Sequence, residues 1–126
     1  MDKYFPLPLI VRHINGRLWE LIKPFEYHPD SGEVIRVPEE FLTDFASIPR
    51  IFWTIIGSPT GRYGPAAIIH DYLYVIKIYS RRKSDRIFFK AMAILKVPYL
   101  KRFLMYLAVR LAGWQAWENY KIHRHP

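Results

Sequence analysis

The chain has 126 residues, 51% of them hydrophobic and 17% aromatic, enough for one compact core spanning residues 1–126 as a single domain and too apolar for a disordered chain. It contains no cysteine, which excludes disulfide scaffolds, thiolate metal sites and cysteine nucleophiles. The net charge of +8 is uneven: residues 1–75 hold 7 Lys/Arg against 9 Asp/Glu, residues 76–126 hold 12 against 2, so the second half either suits an anionic partner or is a solvated basic surface.

The opening MDKYFPLPLI lacks the unbroken apolar middle of a signal peptide. Leu7 to Ile14 and Arg17 to Tyr27 read as strands flanking Asn15-Gly16, a dipeptide suited to a tight type I′ hairpin. A second turn is expected at His28-Pro29-Asp30-Ser31-Gly32, then a short strand from Gly32 to Val37 stopped by Pro38. From Glu39 to Pro65 the prolines and glycines predict a loop-rich middle with one short helical turn after Pro49.

The rest reads as helices. Pro65 suits a first turn, and Ala66, Ala67, Ile69, Leu73 and Ile76 form an apolar stripe that ends somewhere between residues 75 and 79. Ser84 is the expected N-cap of a helix from Asp85 to Leu95, with the basic Ser80 to Lys83 as connector. A third helix should run from near Pro98 to about Tyr120, with Leu100, Phe103, Leu104, Leu107, Leu111 and Trp114 on one side, and Gly113 bending or ending it. The apolar run from Phe103 to Trp117 is 15 residues long, short of the roughly 20 that span a bilayer, so no transmembrane segment is expected. The fold class is α+β: N-terminal β-hairpins, a loop-rich middle and a C-terminal three-helix bundle.

His70 is the residue that invites chemistry. It lies inside an apolar helix beside Asp71, with Tyr74 a turn later and Asp85 near the start of the next helix. A neutral imidazole activates water when one ring nitrogen faces the water and the other donates to a carboxylate that fixes its tautomer, a role open to Asp85. Asp71 points about 100° away from His70 on the helix and could hold a hard cation. Calcium is the natural candidate, because the loop containing Gly57, Gly61 and Gly64 could add backbone carbonyls. The alternative is a satisfied core network of the same residues.

The segment YGPAAIIHDYLY followed by SDRIFFKAM resembles the catalytic helix pair of A2-type phospholipases, especially the short prokaryotic and parvoviral kinds. The resemblance implies His70 as general base, Asp71 as calcium ligand, Tyr74 as a supporting tyrosine and Asp85 as the residue that orients the histidine. The bracing cysteines and the calcium-loop sequence of the secreted members are absent, and His70 and Asp85 are 15 residues apart. A helix continuing to Tyr79 would separate them by roughly 13 Å along its axis, so the arrangement needs the helix to end soon after Tyr74 or the helices to cross steeply.

A second resemblance covers about residues 15 to 117. VPEEFLTDFASIPR, with AAIIHDYLY, SDRIFF and YLAVRLAGW, looks like the phage-associated domain-of-unknown-function family number 1353. It implies a phage or prophage origin, synthesis in the host cytoplasm, and a virion as a further location.

Thr43 to Arg50 is a dense polar cluster. Thr43, Asp44 and Ser47 either lock a turn through backbone bonds, or Asp44 joins His70 and Asp71 while Arg50 clamps an anion. Ser47 and Ser58 are weaker candidates as nucleophiles, since neither sits in a strand-turn-helix elbow. Phe103, Tyr106, Trp114, Trp117 and Tyr120, interleaved with Lys101, Arg102, Arg110 and Lys121, are either core or a face for anionic phospholipid or another virion protein. Nucleic acid ranks below both, because only net charge supports it. Two functions follow: a phage hydrolase acting on phospholipid or envelope esters through His70 and Asp85 with calcium, or a non-catalytic virion or tail-associated protein.

Overall fold

The computed structural model describes residues 3–45, 47–52 and 61–123. The chain divides into two compact bodies, residues 1–44 and 45–126. The first is all β and the second all helical apart from loops, which gives the expected α+β class.

In the first body β1 (Val11–Asn15), β2 (Leu18–Leu21) and β5 (Leu42–Thr43) form a three-stranded antiparallel sheet in the order β1-β2-β5. β3 (Phe25–Tyr27) pairs with β4 (Ile35–Val37) as a separate two-stranded sheet. The second expected strand is therefore two, because Pro24 has no amide proton to give a ladder and the chain changes sheet there. The first hairpin pairs Val11 with Leu21 and His13 with Trp19, then shifts register to pair Asn15 with Leu18. Its connection is Gly16-Arg17, and only Gly16 has a positive φ, +49°. A type I′ turn needs two such residues, so the expected turn type is not the one formed. Phe5 stacks on Phe25 and Tyr27, with ring centroids 5.7 and 4.8 Å apart, and Leu21, Ile35 and Val37 complete the core of this body.

In the second body a short 3-10 helix, Arg50–Phe52, follows Pro49 as expected. Three helices come after it: α1 (Gly64–Ile76), α2 (Arg81–Ile94) and α3 (Tyr99–His123), each packed on the other two. Ala66, Ala67, Ile69 and Leu73 of α1 are fully buried, as their spacing predicts. α1 stops at Ile76 because Lys77 turns left-handed, φ 54° and ψ 39°, with its amide bonded to the Leu73 carbonyl.

The start of α2 differs from expectation. Ser80, in extended conformation, caps it by accepting a hydrogen bond from the Lys83 amide at 3.1 Å, and Ser84 is a buried first-turn residue whose hydroxyl donates to the Ser80 carbonyl. Three cations in a first turn oppose the helix dipole, which is why the sequence favours the later serine. The fold overrides this because Arg81 is used: it donates to the Val109 and Arg110 carbonyls of α3 at 2.9 and 3.2 Å.

α3 runs unbroken through Gly113, and its buried face is formed by Met105, Val109, Gly113 and Ala116. The leucine-rich side faces solvent: Leu100, Leu104, Leu107, Leu111 and Trp114 are all exposed.

Candidate functional site: a buried serine, histidine and aspartate network

The early stop of α1 and the early start of α2 bring His70 and Asp85 together. His70 Nε2 lies 2.7 Å from Asp85 Oδ1, and both side chains are completely buried. The same oxygen accepts the Tyr74 hydroxyl at 2.6 Å, Arg110 donates to Oδ2 at 2.7 Å, and Arg81 stands 3.5 Å from that oxygen. Every group facing the carboxylate is a donor. Burial pushes the Asp85 carboxyl up, but the hydrogen bonds from His70, Tyr74 and Arg110 outweigh it and hold the group below the usual carboxylate range. Burial, and then the adjacent Asp85 charge, pushes the Tyr74 phenol well above its ordinary value, so it remains a donor.

These partners fix the tautomer of His70. An ionised Asp85 only accepts, so Nε2 carries the proton. In the neutral ring Nδ1 is then an acceptor, and it lies 3.0 Å from the Ser47 hydroxyl. Ser47 is itself fully buried, and its amide donates to Asp71 Oδ1 at 3.3 Å. Serine, histidine and aspartate thus form one chain of hydrogen bonds. The His70 ring is also wedged between Tyr74 and Phe88, with centroids 4.3 and 4.5 Å away.

The other candidate residues fall elsewhere. Asp71 is buried, with one oxygen turned to Ser47. The Gly61 carbonyl accepts a hydrogen bond from the Gly64 amide at 3.0 Å, and Gly64 is the first residue of α1. Gly57 and Ser58 lie outside the described residues. Among the described residues no three His, Asp or Glu side chains gather into a metal-holding group. Asp44 is exposed at the end of the first body, and Arg50 is exposed on the 3-10 helix. A cleft of about 180 Å³ is lined by Arg62, Tyr63, Val97, Pro98 and Lys101, and contains no member of the network.

Arg110 and Gly113 are the members that sequence reasoning did not place. Arg110 had a signal: a single cation inside an apolar helical run needs a counter-charge, and Asp85 is it. Gly113 had none. A Cβ there would stand 2.7 Å from the Tyr74 hydroxyl oxygen, so glycine is what lets α3 approach the tyrosine.

A family model described as "Protein of unknown function (DUF1353)" matches residues 19–109. The chain is 38% identical over 97 residues to "Uncharacterized protein y4jT" of Sinorhizobium fredii (strain NBRC 101917 / NGR234), a match covering 76% of this chain and 29% of that protein. The chain thus spans under a third of the length of that relative. No solved structure matches it.

Proposed function

The chain belongs to the DUF1353 family, and for this member we propose a non-catalytic, architectural role, in a phage virion or tail, with Ser47, His70, Tyr74, Asp85 and Arg110 acting as the polar staple of the helical body. One observation carries this reading: His70 has no exposed surface and both its ring nitrogens are engaged by protein groups. A general base needs one nitrogen facing water or substrate. Here that nitrogen faces a serine that is equally buried. The Asp85 carboxylate is likewise fully used, two donors on one oxygen and arginine on the other. Such a network fixes how α1, α2 and α3 dock, because each helix contributes at least one of its members.

The hydrolase reading draws on a separate observation. The order Ser47, His70, Asp85, with bonds of 3.0 and 2.7 Å, is that of a nucleophilic relay, with the serine on Nδ1 and the acid on Nε2. Calcium at Asp71 and lipid or envelope esters as substrates belong to this reading alone. It requires surface at Ser47 or His70, and neither has any.

The experiment is an ester-hydrolysis assay of the purified chain, with and without calcium, on phospholipid vesicles and on short-chain aryl esters. The architectural role predicts no turnover, and a loss of about 1.5–3 kcal/mol on His70→Ala, which removes a buried hydrogen bond to a charged group. His70→Gln, which keeps a donor toward Asp85, should lose less. Turnover by the parent chain that disappears in a Ser47→Ala variant with an intact near-UV spectrum would overturn the proposal.

A further inference from the structure

The cleft of about 180 Å³ lies at the end of the helical body where α1 and α3 begin and α2 finishes. Its inner part is lined by the buried Tyr63 and Val97, with Pro98 beside them. Arg62 from the α1 side and Lys101 from the α3 side are exposed and bring one cation each. The backbone that carries them is pinned. The Gly64 amide bonds to the Gly61 carbonyl and the Ala67 amide to the Tyr63 carbonyl. On the α3 side the Val97 amide bonds to the Met92 carbonyl and the Arg102 amide to the Pro98 carbonyl, while the Arg102 side chain donates to the Val97 carbonyl at 3.0 Å.

Nothing in this body neutralises the two cations. Residues 45–126 contain three acids, Asp71, Asp85 and Glu118. Asp71 is buried with one oxygen turned to the Ser47 amide, and Asp85 is buried against His70, Tyr74 and Arg110. Glu118 is far along α3 from Lys101, roughly 26 Å at 1.5 Å per residue. Among the described residues Arg62 and Lys101 make no hydrogen bond and no ion pair. The first turns of α1 and α3 hold no acid either, so both helix starts add to the positive potential of the cleft. Like charges held at one small cleft repel, and an anion between them removes that cost.

We infer that this cleft binds a phosphate monoester, with the phosphoryl group between Arg62 and Lys101 and the first carbons of the ester against Tyr63 and Val97. Charge selects the class. A phosphomonoester carries about −1.5 to −2 at neutral pH and three acceptor oxygens, enough to meet a guanidinium fork and an ammonium together. A carboxylate brings a single charge and two oxygens. Volume limits the rest of the ligand. Pockets for drug-sized molecules start at roughly 300 Å³, so this smaller cleft takes a headgroup and not a nucleotide. The group is the same in a free glycerol phosphate and in phosphatidic acid of a bilayer. No member of the buried network lines the cleft, so the inference is independent of the role given to His70.

The test is a titration of the full chain with glycerol 3-phosphate, read by the amide proton and nitrogen shifts, with inorganic phosphate and acetate as comparison anions. Saturable shifts are expected at Tyr63, Gly64, Leu100 and Lys101, with glycerol 3-phosphate the tightest of the three. Arg62→Gln and Lys101→Gln should each weaken it about ten-fold, the loss of one hydrogen bond between charged groups. Arg86→Gln removes the same charge from the exposed side of α2 and should change it by less than about two-fold. A second arm mixes the chain with phosphatidylcholine vesicles that contain or lack phosphatidic acid. Binding to phosphatidic acid that Arg62→Gln and Lys101→Gln abolish assigns the lipid headgroup, and binding of the soluble ester with none to vesicles assigns the free one. The inference is overturned if neither arm binds, or if acetate or inorganic phosphate binds as tightly as glycerol 3-phosphate. It is equally overturned if Arg86→Gln weakens binding as much as Lys101→Gln, since net charge and not the cleft would then attract the anion.

Discussion

Replacing Gly113 with alanine tests whether the fold rests on the Tyr74 to Asp85 bond. In an exposed helix interior the exchange gains about 1 kcal/mol, because alanine has the higher helix propensity. At this position the new Cβ would stand 2.7 Å from the Tyr74 hydroxyl oxygen and 3.3 Å from Arg81 Nη1. The arginine is a flexible end and can give way. The tyrosine is fully buried and its oxygen is held 2.6 Å from Asp85, so the hydroxyl must leave the carboxylate. Losing a buried hydrogen bond to a charged group costs about 1.5–3 kcal/mol. The net expectation is a destabilisation of about 1 kcal/mol, or a fall in Tm of about 4 °C for a chain of this size. Tyr74→Phe removes the obstructing oxygen and leaves Tyr74 Cε2 at an ordinary contact of 3.5 Å. In that background Gly113→Ala should be neutral or should stabilise by up to about 1 kcal/mol. Thermal or urea unfolding of the four proteins gives the coupling between the two sites, expected at about 1–2 kcal/mol. If Gly113→Ala stabilises the parent chain by the full propensity gain, Tyr74 is not pinned and the reasoning fails.

Asp85 sets an acid limb of stability. Its carboxyl is held below the usual range in the folded chain and returns to about 3.9 when unfolded, so the unfolded state binds the proton first. The contribution is complete above about pH 4 and fades as pH falls through the folded value. Asp85→Asn should therefore be markedly less stable than the parent at pH 7, with the gap narrowing toward pH 2 in urea titrations; a gap that stays constant would show that Asp85 does not titrate as described. Lys96 closes α2 with φ 64°, its amide bonded to the Ala93 carbonyl and that of Val97 to Met92. This is a Schellman stop made with an exposed lysine where glycine is preferred. Lys96→Gly should raise stability by about 1 kcal/mol in chemical denaturation, and a loss would mean that the lysine side chain holds the cap.

Much of the helical body was legible because its signals are local. The stripe from Ala66 to Ile76 and the proline at its start each need only neighbours a turn away. The pairing of His70 with Asp85 was legible as a condition: it required α1 to end soon after Tyr74. That end is set by Lys77 in a left-handed conformation, which a lysine does not announce. Ser80 and Ser84 are equally good caps by type, and only the bonds of Arg81 to the α3 carbonyls favour the earlier one.

By itself the sequence determined the succession from strands to helices, the polar residues available to the core and the concentration of positive charge in the second half, since these depend on residue type and short-range spacing. The split of the second strand at Pro24 and the short β5 within the loop-rich middle came instead from the sheet pairing. Tertiary structure decided which face of α3 is buried. With leucines on one side and Met105, Val109, Gly113 and Ala116 on the other, hydrophobicity favours the leucines, but the body takes the smaller face because Gly113 lets the backbone reach Tyr74. It also decided that His70 is sealed. Access to a ring nitrogen depends on what neighbouring segments place in front of it, here Ser47 from 23 residues away, and no pattern along the chain carries that distance.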